Sequence, residues 1–500
     1  MTPTQAFEAY CTAFVNGDHI AMADLFTEDG VFEASSIEKP LKGKEELRSQ
    51  LRIISQSSKN ISTDIRVAIE TGSTGHFEGA YEAEIIGTGG KIDGSPHRID
   101  FKFVAVVEME DGKIARLTEI YDTRPFHPEE RQRMWNINRR TPYWNKTVDA
   151  KCKEWSVYNN MHFPMIYSRT PYEDYCALLE GVTLWDVALE RQTQLKGPDA
   201  HAFLDYLCCR DMSVMEVGDC RYALVCDENG KMMCDPVVLY PWKDTIWLSH
   251  GNTDLTLWAR GIVMGSDWNI EVSEPDVAPL QVQGPFALKT LSKICSASLA
   301  NMKNYTCLVT QVAGQDCIVS RTGWSGGFGF EVYPLSSDRA SELWDAIMEA
   351  GDEFGIKVTG PIIHRAIERG VTDLNYYMNS DMNAFEDTGG KLVNIDKPAD
   401  FIGKQALQSI DASGVKRHSV GLLFEGDVPR LEWFWEMSDG NGNGYVGEVR
   451  WAIYSFELGQ YIGIAVVDNE IGIGDQVFVS HPNGVCRAEI TTIPFVKRSA

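Results

Sequence analysis

A glycine-rich stretch at residues 320–333, which reads SRTGWSGGFGFEVY, constrains the fold of this chain more than any other segment. Its four glycines allow sharp backbone turns and leave room for a ligand to lie against the main chain. After the glycines, the order FEVY alternates side chains between two faces, which predicts a strand that enters the core. The stretch is therefore predicted to form a hairpin that brings Trp324 and Glu331 near the same space.

The two side chains at this predicted hairpin suit a flat heterocycle. An indole face such as that of Trp324 attracts rings and small cations. A carboxylate such as that of Glu331 accepts paired hydrogen bonds from an amino-pyrimidine ring. Glycine-rich loops are also common in proteins without such ligands. The composition of the stretch therefore leaves open a plain hairpin with a core tryptophan and a solvated glutamate.

The size and charge of the chain limit its organisation and its partners. Its 500 residues are too many for one compact core, so about two to four domains are expected. The formal net charge is −25, from 46 basic and 71 acidic residues, which argues against nucleic-acid binding. No apolar run approaches the roughly 20 residues of a membrane span, so no membrane association is expected.

The cysteines and the N-terminus predict a cytoplasmic protein. The twelve cysteines include no CxxC pair and no Cys/His spacing typical of a metal site. The N-terminus lacks the basic and apolar regions of a secretory signal. We therefore expect free thiols in a reducing compartment, and no bound metal.

Residues 1–123 are predicted to form a separate α+β unit. Helical periodicity comes first, and later segments alternate like antiparallel strands, with a hairpin turn at Asp111-Gly112. The phrases ADLFTEDGVFE and FVAVVEMEDGKIARLTEIYD resemble the SnoaL-like members of the NTF2-like superfamily. The resemblance implies a cone-shaped domain. Because a fold does not give a function, we interpret this unit as a binding or dimerising module, with a homodimer as one assembly.

The rest of the chain is predicted to contain a linker and two further regions. Residues 124–150 are polar and rich in Pro, Arg and Asn, which is typical of a linker. A region of strands and helices follows at 151–412, and a small β-barrel at 413–500.

Asp235 lies in an apolar segment, where a carboxylate is costly unless it has a partner or faces a cavity. An edge strand made tolerable by Pro236 is the other interpretation.

Several blocks within residues 150–498 resemble, in the same order, the aminomethyltransferase family, which includes the T-protein of the glycine cleavage system. The glycine-rich stretch fits the family pattern Ser-Arg-Thr-Gly-aromatic-x-Gly, and Glu331 follows Trp324 by seven residues. Further matching blocks read GPDA, MMCDPVVLY and QVQGP. The resemblance implies a three-lobed fold with folate in a central channel and a β-barrel at the C-terminus.

The same resemblance implies a cofactor and the residues near it. Family members use tetrahydrofolate, whose N5 nitrogen takes the transferred group. The matching positions identify Tyr222, Trp324 and Glu331 as folate-binding residues. Asp235 matches the aspartate at the folate and the methyl donor, so it is predicted both to bind folate and to act in catalysis.

Within the family, the likeness is strongest to the dimethylsulfoniopropionate demethylases, through segments such as SVYNNMHFP, LWDVALERQ and RTGWSGGFGFEVY. This likeness implies a methyltransferase that moves a methyl group from a sulfonium donor to tetrahydrofolate. A sulfonium methyl is already activated, so the enzyme needs positioning and a pocket for a cation more than a strong acid. The residues predicted to bind the donor are Tyr158, Met161, Trp324 and Tyr333.

Two segments depart from the family pattern. Residues 447–451 read GEVRW where the family has Gly-x-Val-Thr-Ser, and residues 384–390 read AFEDTGG where it has a Pro-(Leu/Phe)-Glu block. These changes leave other donors open, namely an amine, a methoxy-arene or the aminomethyl group of glycine cleavage. A non-catalytic regulator that binds folate or another ligand is the alternative from a different class.

Overall fold

A computed structural model of the chain describes residues 1–35, 37, 39–85, 97–121, 139–371, 378, 380–387, 390–441 and 444–497. The chain divides into two compact units, Met1–Asn138 and Arg139–Ala500. Within the described ranges, every helix is too short or too polar to cross a membrane. The twelve cysteines all lie within these ranges and are reduced thiols outside any disulfide.

The first unit combines three helices with a six-stranded sheet. Its first helix begins at a capping box formed by Thr2 and Gln5, with Pro3 in the first turn. The helices are α1 (Pro3–Val15), α2 (His19–Asp24) and α3 (Lys44–Ser57). The strands are β1 (Phe26–Ala34), β2 (Leu41–Lys42), β3 (Ser58–Thr71), β4 (Thr74–Ile85), β5 (His97–Glu110) and β6 (Lys113–Tyr121).

This sheet has the order β2-β1-β6-β5-β4-β3, and its strands are antiparallel except for the pair β1 and β6. Asp111 and Gly112, both with positive φ, make the predicted tight turn between β5 and β6. Buried side chains from the helices and the sheet share one core, in which Phe7 stacks on Phe77 at a centroid distance of 4.4 Å. The predicted α+β cone is confirmed.

The second unit begins inside the segment predicted as a linker. Residues 124–138 of that segment lie outside the described residues. Beyond them, Trp144–Asp149 forms helix α4, and the buried Tyr143 hydroxyl donates to the carbonyl oxygen of Ala278 at 2.8 Å. Residues from Arg139 onward therefore belong to the packed second unit.

Two sheets carry the middle of the chain. The strands are β7 (Glu154–Tyr158), β8 (Met161–Ile166), β9 (Thr183–Asp186), β10 (Arg191–Lys196), β11 (Cys220–Tyr222), β12 (Val225–Cys226), β13 (Met232–Cys234), β14 (Val237–Trp242), β15 (Thr245–His250), β16 (Glu271–Ser273), β17 (Leu280–Gln283), β18 (Cys307–Val312), β19 (Gln315–Ser320), β20 (Gly329–Pro334) and β21 (Lys357–Val358). One sheet has the order β11-β14-β15-β10-β16, and the other has the order β18-β19-β20-β17-β9-β21. The strand pairs β7–β8 and β12–β13 form separate hairpins.

Helices cover these sheets and supply much of the core around them. They are α5 (Pro171–Glu180), α6 (Ala200–Leu207), α7 (Leu255–Met264), α8 (Ala287–Leu291), α9 (Ala340–Gly351), α10 (Ile363–Glu368) and α11 (Lys404–Ser413), with a 3-10 helix at Asp352–Phe354. Leu343 and Ile347 of α9 pack in the core of the six-stranded sheet, while Phe203 and Leu204 of α6 pack in that of the five-stranded sheet.

The C-terminal strands close into a barrel. They are β22 (Arg417–Phe424), β23 (Trp435–Ser438), β24 (Tyr445–Ser455), β25 (Gln460–Asp468), β26 (Gln476–His481) and β27 (Gly484–Thr491), in the order β22-β25-β24-β23-β26-β27. Alternate residues of these strands, such as Val420 and Leu422, fill its core. With two sheets and one barrel, the second unit has the three-lobed fold that the sequence predicts.

Candidate functional site

The glycine-rich stretch forms the turn between β19 and β20, and neighbouring side chains explain why glycine is needed there. A Cβ at Gly323 would lie 2.2 Å from Nε2 of Gln281, and one at Gly329 would lie 1.9 Å from Oε1 of Gln283. Both glutamines are on β17 and buried, and Gln281 Nε2 donates to Gln283 Oε1 at 2.6 Å. The glycines therefore let the hairpin backbone lie directly against this glutamine pair.

Glu331 lies in the middle of β20, where nearby hydroxyl groups fix its carboxylate. Its Oε2 accepts hydrogen bonds from Thr322 Oγ1, from the Tyr333 hydroxyl at 2.8 Å and from Ser320 Oγ at 3.4 Å. No described residue donates to Oε1. Burial raises the pKa of Glu331, and the three hydroxyl hydrogen bonds offset only part of this effect. The carboxylate is held in place with one oxygen left for a further donor.

Two other carboxylates lie near Glu331 although they are distant in sequence. Glu190, just before β10, accepts a hydrogen bond from Ser249 Oγ at 3.2 Å. Burial, followed by the negative charges of Glu331 and Asp235, raises the pKa of Glu190 to about 8. In the part of the chain that the structure describes, neither Glu190 nor Glu331 forms an ion pair. The region is therefore a buried cluster of acids in which burial favours the protonated, neutral forms of these two glutamates, and a cation bound beside them would favour the ionised forms.

Asp235 lies in the short connection between β13 and β14. Its Oδ2 accepts a hydrogen bond from the Tyr222 hydroxyl at 2.9 Å. Tyr222 is at the end of β11 and pairs with Val237 at the start of β14, which fixes this contact. The structure thus joins two of the predicted folate-binding residues. Asp235 and Pro236 make up this connection, so Asp235 lies in neither strand and is not the edge-strand residue of the other interpretation.

A narrow cavity of about 20 Å³ borders this carboxylate cluster. Its walls include the rings of Tyr158, Phe163 and Trp324 and the polar side chains of Glu190 and Gln281. Gln281 is the cross-strand partner of Glu331, so the cavity adjoins the strand that carries that carboxylate. The volume holds about one water molecule, so a larger ligand requires the walls to move apart. Aromatic rings beside a carboxylate suit a small cation.

The hairpin β7–β8 places Tyr158 at this cavity. Its turn is Asn159-Asn160, and both residues have the positive φ that asparagine tolerates. Nδ2 of the buried Asn159 donates to the carbonyl oxygens of Leu189, at 2.9 Å, and His250, at 3.1 Å. These bonds tie the turn to the segment that carries Glu190.

The residues predicted to bind the donor do not all meet at one place. Tyr158 and Trp324 line the narrow cavity. Met161 lines a different cavity, of about 400 Å³, whose walls also include Glu190. Tyr333 is only 1% exposed and donates its hydroxyl hydrogen bond to Glu331. Among the described residues, Tyr333 therefore supports Glu331 from within the sheet and is not part of the wall of either cavity.

Both segments that depart from the family pattern join one ion network. Arg450, whose side chain is fully buried, donates to the two carboxylate oxygens of Asp381 at 2.8 and 2.6 Å and to Glu448 at 2.5 Å. Arg417 pairs with Asp381 at 3.3 Å and with Glu386 at 3.0 Å. The segments 384–390 and 447–451 are therefore linked through Asp381 and Arg417, by Glu386 in the first segment and Arg450 in the second.

Glu190 and Gln281 are site residues that the sequence reasoning missed. Glu190 ends the apolar run of the segment LWDVALERQ, and a carboxylate so placed is a signal for a partner or a cavity. Gln281 alternates with Gln283 in a strand that is otherwise apolar, and two amides on one face of a buried strand carry the same signal. The reasoning instead relied on the positions that match the family motifs.

Family models cover most of the chain. The model described as GCVT N-terminal domain matches residues 144–397, which is half of the chain. The glycine cleavage T-protein C-terminal barrel domain matches residues 417–497, and the SnoaL-like domain matches residues 7–117. The fold and the site thus define a T-protein-like second unit that follows a SnoaL-like first unit.

Comparisons with individual proteins and solved structures give the same family as the family models. The chain is 32% identical over 349 residues to dimethylsulfoniopropionate demethylase DmdA of Ruegeria pomeroyi, which covers 69% of this chain and 94% of that protein. It is 30% identical over 366 residues to the aminomethyltransferase of Bacillus mycoides, covering 71% of this chain and 96% of that protein. Glycine cleavage system aminomethyltransferase T from Bartonella henselae has the same fold, with a TM-score of 0.65 at 19% identity over 72% of this chain and 98% of that one. The chain belongs to the aminomethyltransferase family.

Proposed function

We propose that the protein is a tetrahydrofolate-dependent methyltransferase that demethylates a sulfonium donor such as dimethylsulfoniopropionate. The observation that carries this proposal is the aromatic cavity beside a buried cluster of carboxylates, two of which lack a cationic partner among the described residues. Such a site favours a small organic cation, because the rings attract it and because its charge would stabilise the ionised form of the nearby acids. The identity to the dimethylsulfoniopropionate demethylase supports the same donor class.

The residues near Glu331 fit a pterin ring. Oε2 of Glu331 is occupied by three hydroxyl donors, while Oε1 is available to accept from an amino-pyrimidine. Asp235 and Tyr222, joined at 2.9 Å, form the second contact of the proposed folate site. When bound, tetrahydrofolate supplies the N5 nitrogen that takes the methyl group as the C–S bond breaks, with release of the N5 proton and a neutral thioether.

In this reaction the protein positions the methyl donor and the folate, and it stabilises the charge that moves between them. The leaving thioether is neutral, so no side chain has to protonate it. Tyr158 and Trp324 hold the cationic donor by their ring faces, and Glu190 supplies a carboxylate at the same wall. Asp235 orients the reacting pair and offsets the positive charge that moves away from sulfur.

The experiment that tests this proposal measures 5-methyltetrahydrofolate by mass spectrometry after incubation with tetrahydrofolate and single donors. The panel contains dimethylsulfoniopropionate, trimethylamine, a methoxy-arene and an aminomethyl-lipoyl donor, and Asp235→Asn serves as the impaired variant. We expect product and an equal amount of thioether with the sulfonium. Product from only another donor would reassign the substrate. Folate binding without product from any donor would favour a non-catalytic regulator.

For the first unit, we propose that it pairs two copies of the chain. Val67, Val104 and Ile120 are 41%, 47% and 59% exposed, and the strand register places them in one row across the sheet, with the exposed Glu78 between Val67 and Val104. A second copy would cover the apolar side chains of this row. Sedimentation equilibrium should show a dimer that Val104→Glu dissociates. Val485→Glu, at a residue that is 65% exposed on the barrel, should leave the mass unchanged.

A further inference from the structure

A carboxylic acid faces the core of the first unit. Glu119 lies on β6, and its cross-strand partners are Ala34 of β1 and Ala105 of β5, which both belong to that core. Because directly paired residues of neighbouring strands lie on the same face of a sheet, the Glu119 side chain points inward with them. Neither alanine side chain can donate a hydrogen bond. No described residue donates to the Glu119 carboxylate or forms an ion pair with it.

Glu119 lies deep in this unit and still remains accessible. Burial raises the pKa of Glu119 to about 7, and no nearby cation offsets this effect. Burial, and then the charge of Glu119, raise the pKa of Tyr10, Cys11 and Tyr81, so these neighbours stay protonated and neutral. The Glu119 side chain is nevertheless only half-buried. A deep carboxyl group that is still accessible indicates a space inside the unit.

Four aromatic side chains line up beside this carboxyl group, and we call them the ring row. Phe14 stacks on Tyr81 at a centroid distance of 5.4 Å, Tyr81 packs on Phe101 at 4.8 Å, and Phe101 packs on Tyr121 at 4.7 Å. Tyr121 follows Glu119 by two residues on β6, so the two side chains share a face of the sheet. Phe14, Phe101 and Tyr121 are half-buried. The ring row therefore begins next to Glu119 and is partly accessible.

We propose that the first unit binds a small organic cation, a methylated ammonium or sulfonium group, between Glu119 and the ring row. Aromatic rings attract such a cation, and the ionised carboxylate would compensate its charge. A metal ion fits less well because it needs several oxygen, nitrogen or sulfur ligands, and the described residues bring no three His, Cys, Asp or Glu side chains together. The site is built by the first unit alone, so the inference does not rest on the function proposed for the second unit.

The test is calorimetry on the full chain with choline and with 3,3-dimethylbutan-1-ol, its neutral carbon analogue. We expect the unmodified chain to have one choline site that Glu119→Gln lacks, whatever the second unit binds. This site should prefer choline over the carbon analogue by at least about tenfold. Because the cation competes with a proton for Glu119, choline affinity at this site should fall roughly tenfold from pH 8 to pH 6.

The matched control is Glu33→Gln. Glu33 lies on the opposite face of the same sheet, where it pairs with Arg116 at 2.6 Å, so this variant should keep the choline site. The same number of choline sites in Glu119→Gln and the unmodified chain would overturn the proposal. Equal affinity of the lost site for choline and the carbon analogue would also overturn it, because the site would then select shape and not charge.

A second measurement uses only the unmodified chain, so it does not depend on whether a variant folds. Crystals soaked in arsenocholine locate the bound cation by the anomalous scattering of arsenic. We expect arsenic beside Glu119, and arsenic found only in the second unit would overturn the proposal. A chain that binds choline at Glu119 but forms no 5-methyltetrahydrofolate from any donor would overturn the proposed function alone.

Discussion

Acidic side chains cluster in two regions of the second unit, and the two regions differ in how the charge of these acids is compensated. Near the barrel, Asp381 and Glu386 are paired with the guanidinium groups of Arg450 and Arg417. At the candidate site, Glu331 accepts hydrogen bonds from hydroxyl groups and, like Glu190, has no ion pair among the described residues. In the first region, arginines of the protein compensate the charge of the acids. In the second region, the compensating cation would have to come from a bound ligand.

This difference separates a structural network from a binding site. Removing one partner of a buried ion pair leaves an uncompensated charge and lowers stability. Removing a carboxylate that has no cation instead relieves a desolvation cost, and the loss is seen only when the ligand binds. A substitution that only neutralises an acid should therefore lower the free energy of unfolding in the first region. In the second region it should leave the free energy of unfolding unchanged or raise it.

The largest effect is expected at the paired region. Asp381→Asn should lower the free energy of unfolding by up to about 3 kcal/mol, because the fully buried Arg450 loses its bidentate partner, although it keeps its pair with Glu448. This is the low end of the range for buried pairs, since the Asp381 side chain is 46% exposed. Urea unfolding measures it. Asp345→Asn, which breaks an exposed pair with Lys146, is the control and should cost under about 1 kcal/mol. Equal losses in both variants would contradict the comparison.

At Glu331 we expect a smaller effect, which appears in ligand affinity and does not lower stability. Glu331→Gln keeps the shape but removes a charge-assisted acceptor, so the affinity for tetrahydrofolate should fall by about 1.5–3 kcal/mol, or roughly ten- to a hundredfold. The free energy of unfolding should stay the same or rise. Calorimetry and urea unfolding on the same sample measure both quantities. Unchanged folate affinity would remove Glu331 from the pterin site.

The stability of the protein should depend on pH because Glu190 is buried without a cationic partner among the described residues. Its pKa is about 8 in the folded protein, above the value of roughly 4.3 for an exposed glutamate. The folded state therefore holds a proton that the unfolded state loses, and the stabilisation present below about pH 4 disappears as the pH rises through 8. The difference in unfolding free energy between the unmodified chain and Glu190→Gln should fall by at most about 1.4 kcal/mol per pH unit. A difference that is flat from pH 5 to 8 would mean that Glu190 is ionised throughout.

The smallest effect is expected at the aromatic wall. Trp324→Phe keeps a ring but weakens the attraction for a cation, so affinity for dimethylsulfoniopropionate should fall by up to about 1 kcal/mol, roughly fivefold. The carbon analogue 4-methylpentanoate, which lacks the positive charge, should lose less. Competition binding against both ligands measures the difference. Equal losses would show that the ring contributes packing alone and no attraction for a cation, and would favour a neutral donor such as a methoxy-arene.

The sequence by itself determined the fold class, and it predicted several residues of the candidate site. Local patterns predicted the turn at Asp111-Gly112, the glycine hairpin before Glu331 and the C-terminal barrel, because turn chemistry and strand alternation act over a few residues. The family motifs identified Tyr222 and Asp235, which the structure joins by a hydrogen bond. The roles of these residues in binding and catalysis stay predictions.

Only the tertiary structure decided which charges meet and which side chains face a cavity. The alternation in β20 placed Glu331 and Tyr333 on one face, but every residue of that strand is buried, so Tyr333 supports the carboxylate instead of lining a pocket. The charge of Glu331 acts on Glu190 because separate segments pack together, and sequence spacing carries no information about such a neighbour. Electrostatic energy depends on distance and burial in three dimensions, which is why the sequence shows the acids and only the fold shows which of them remain without a cation.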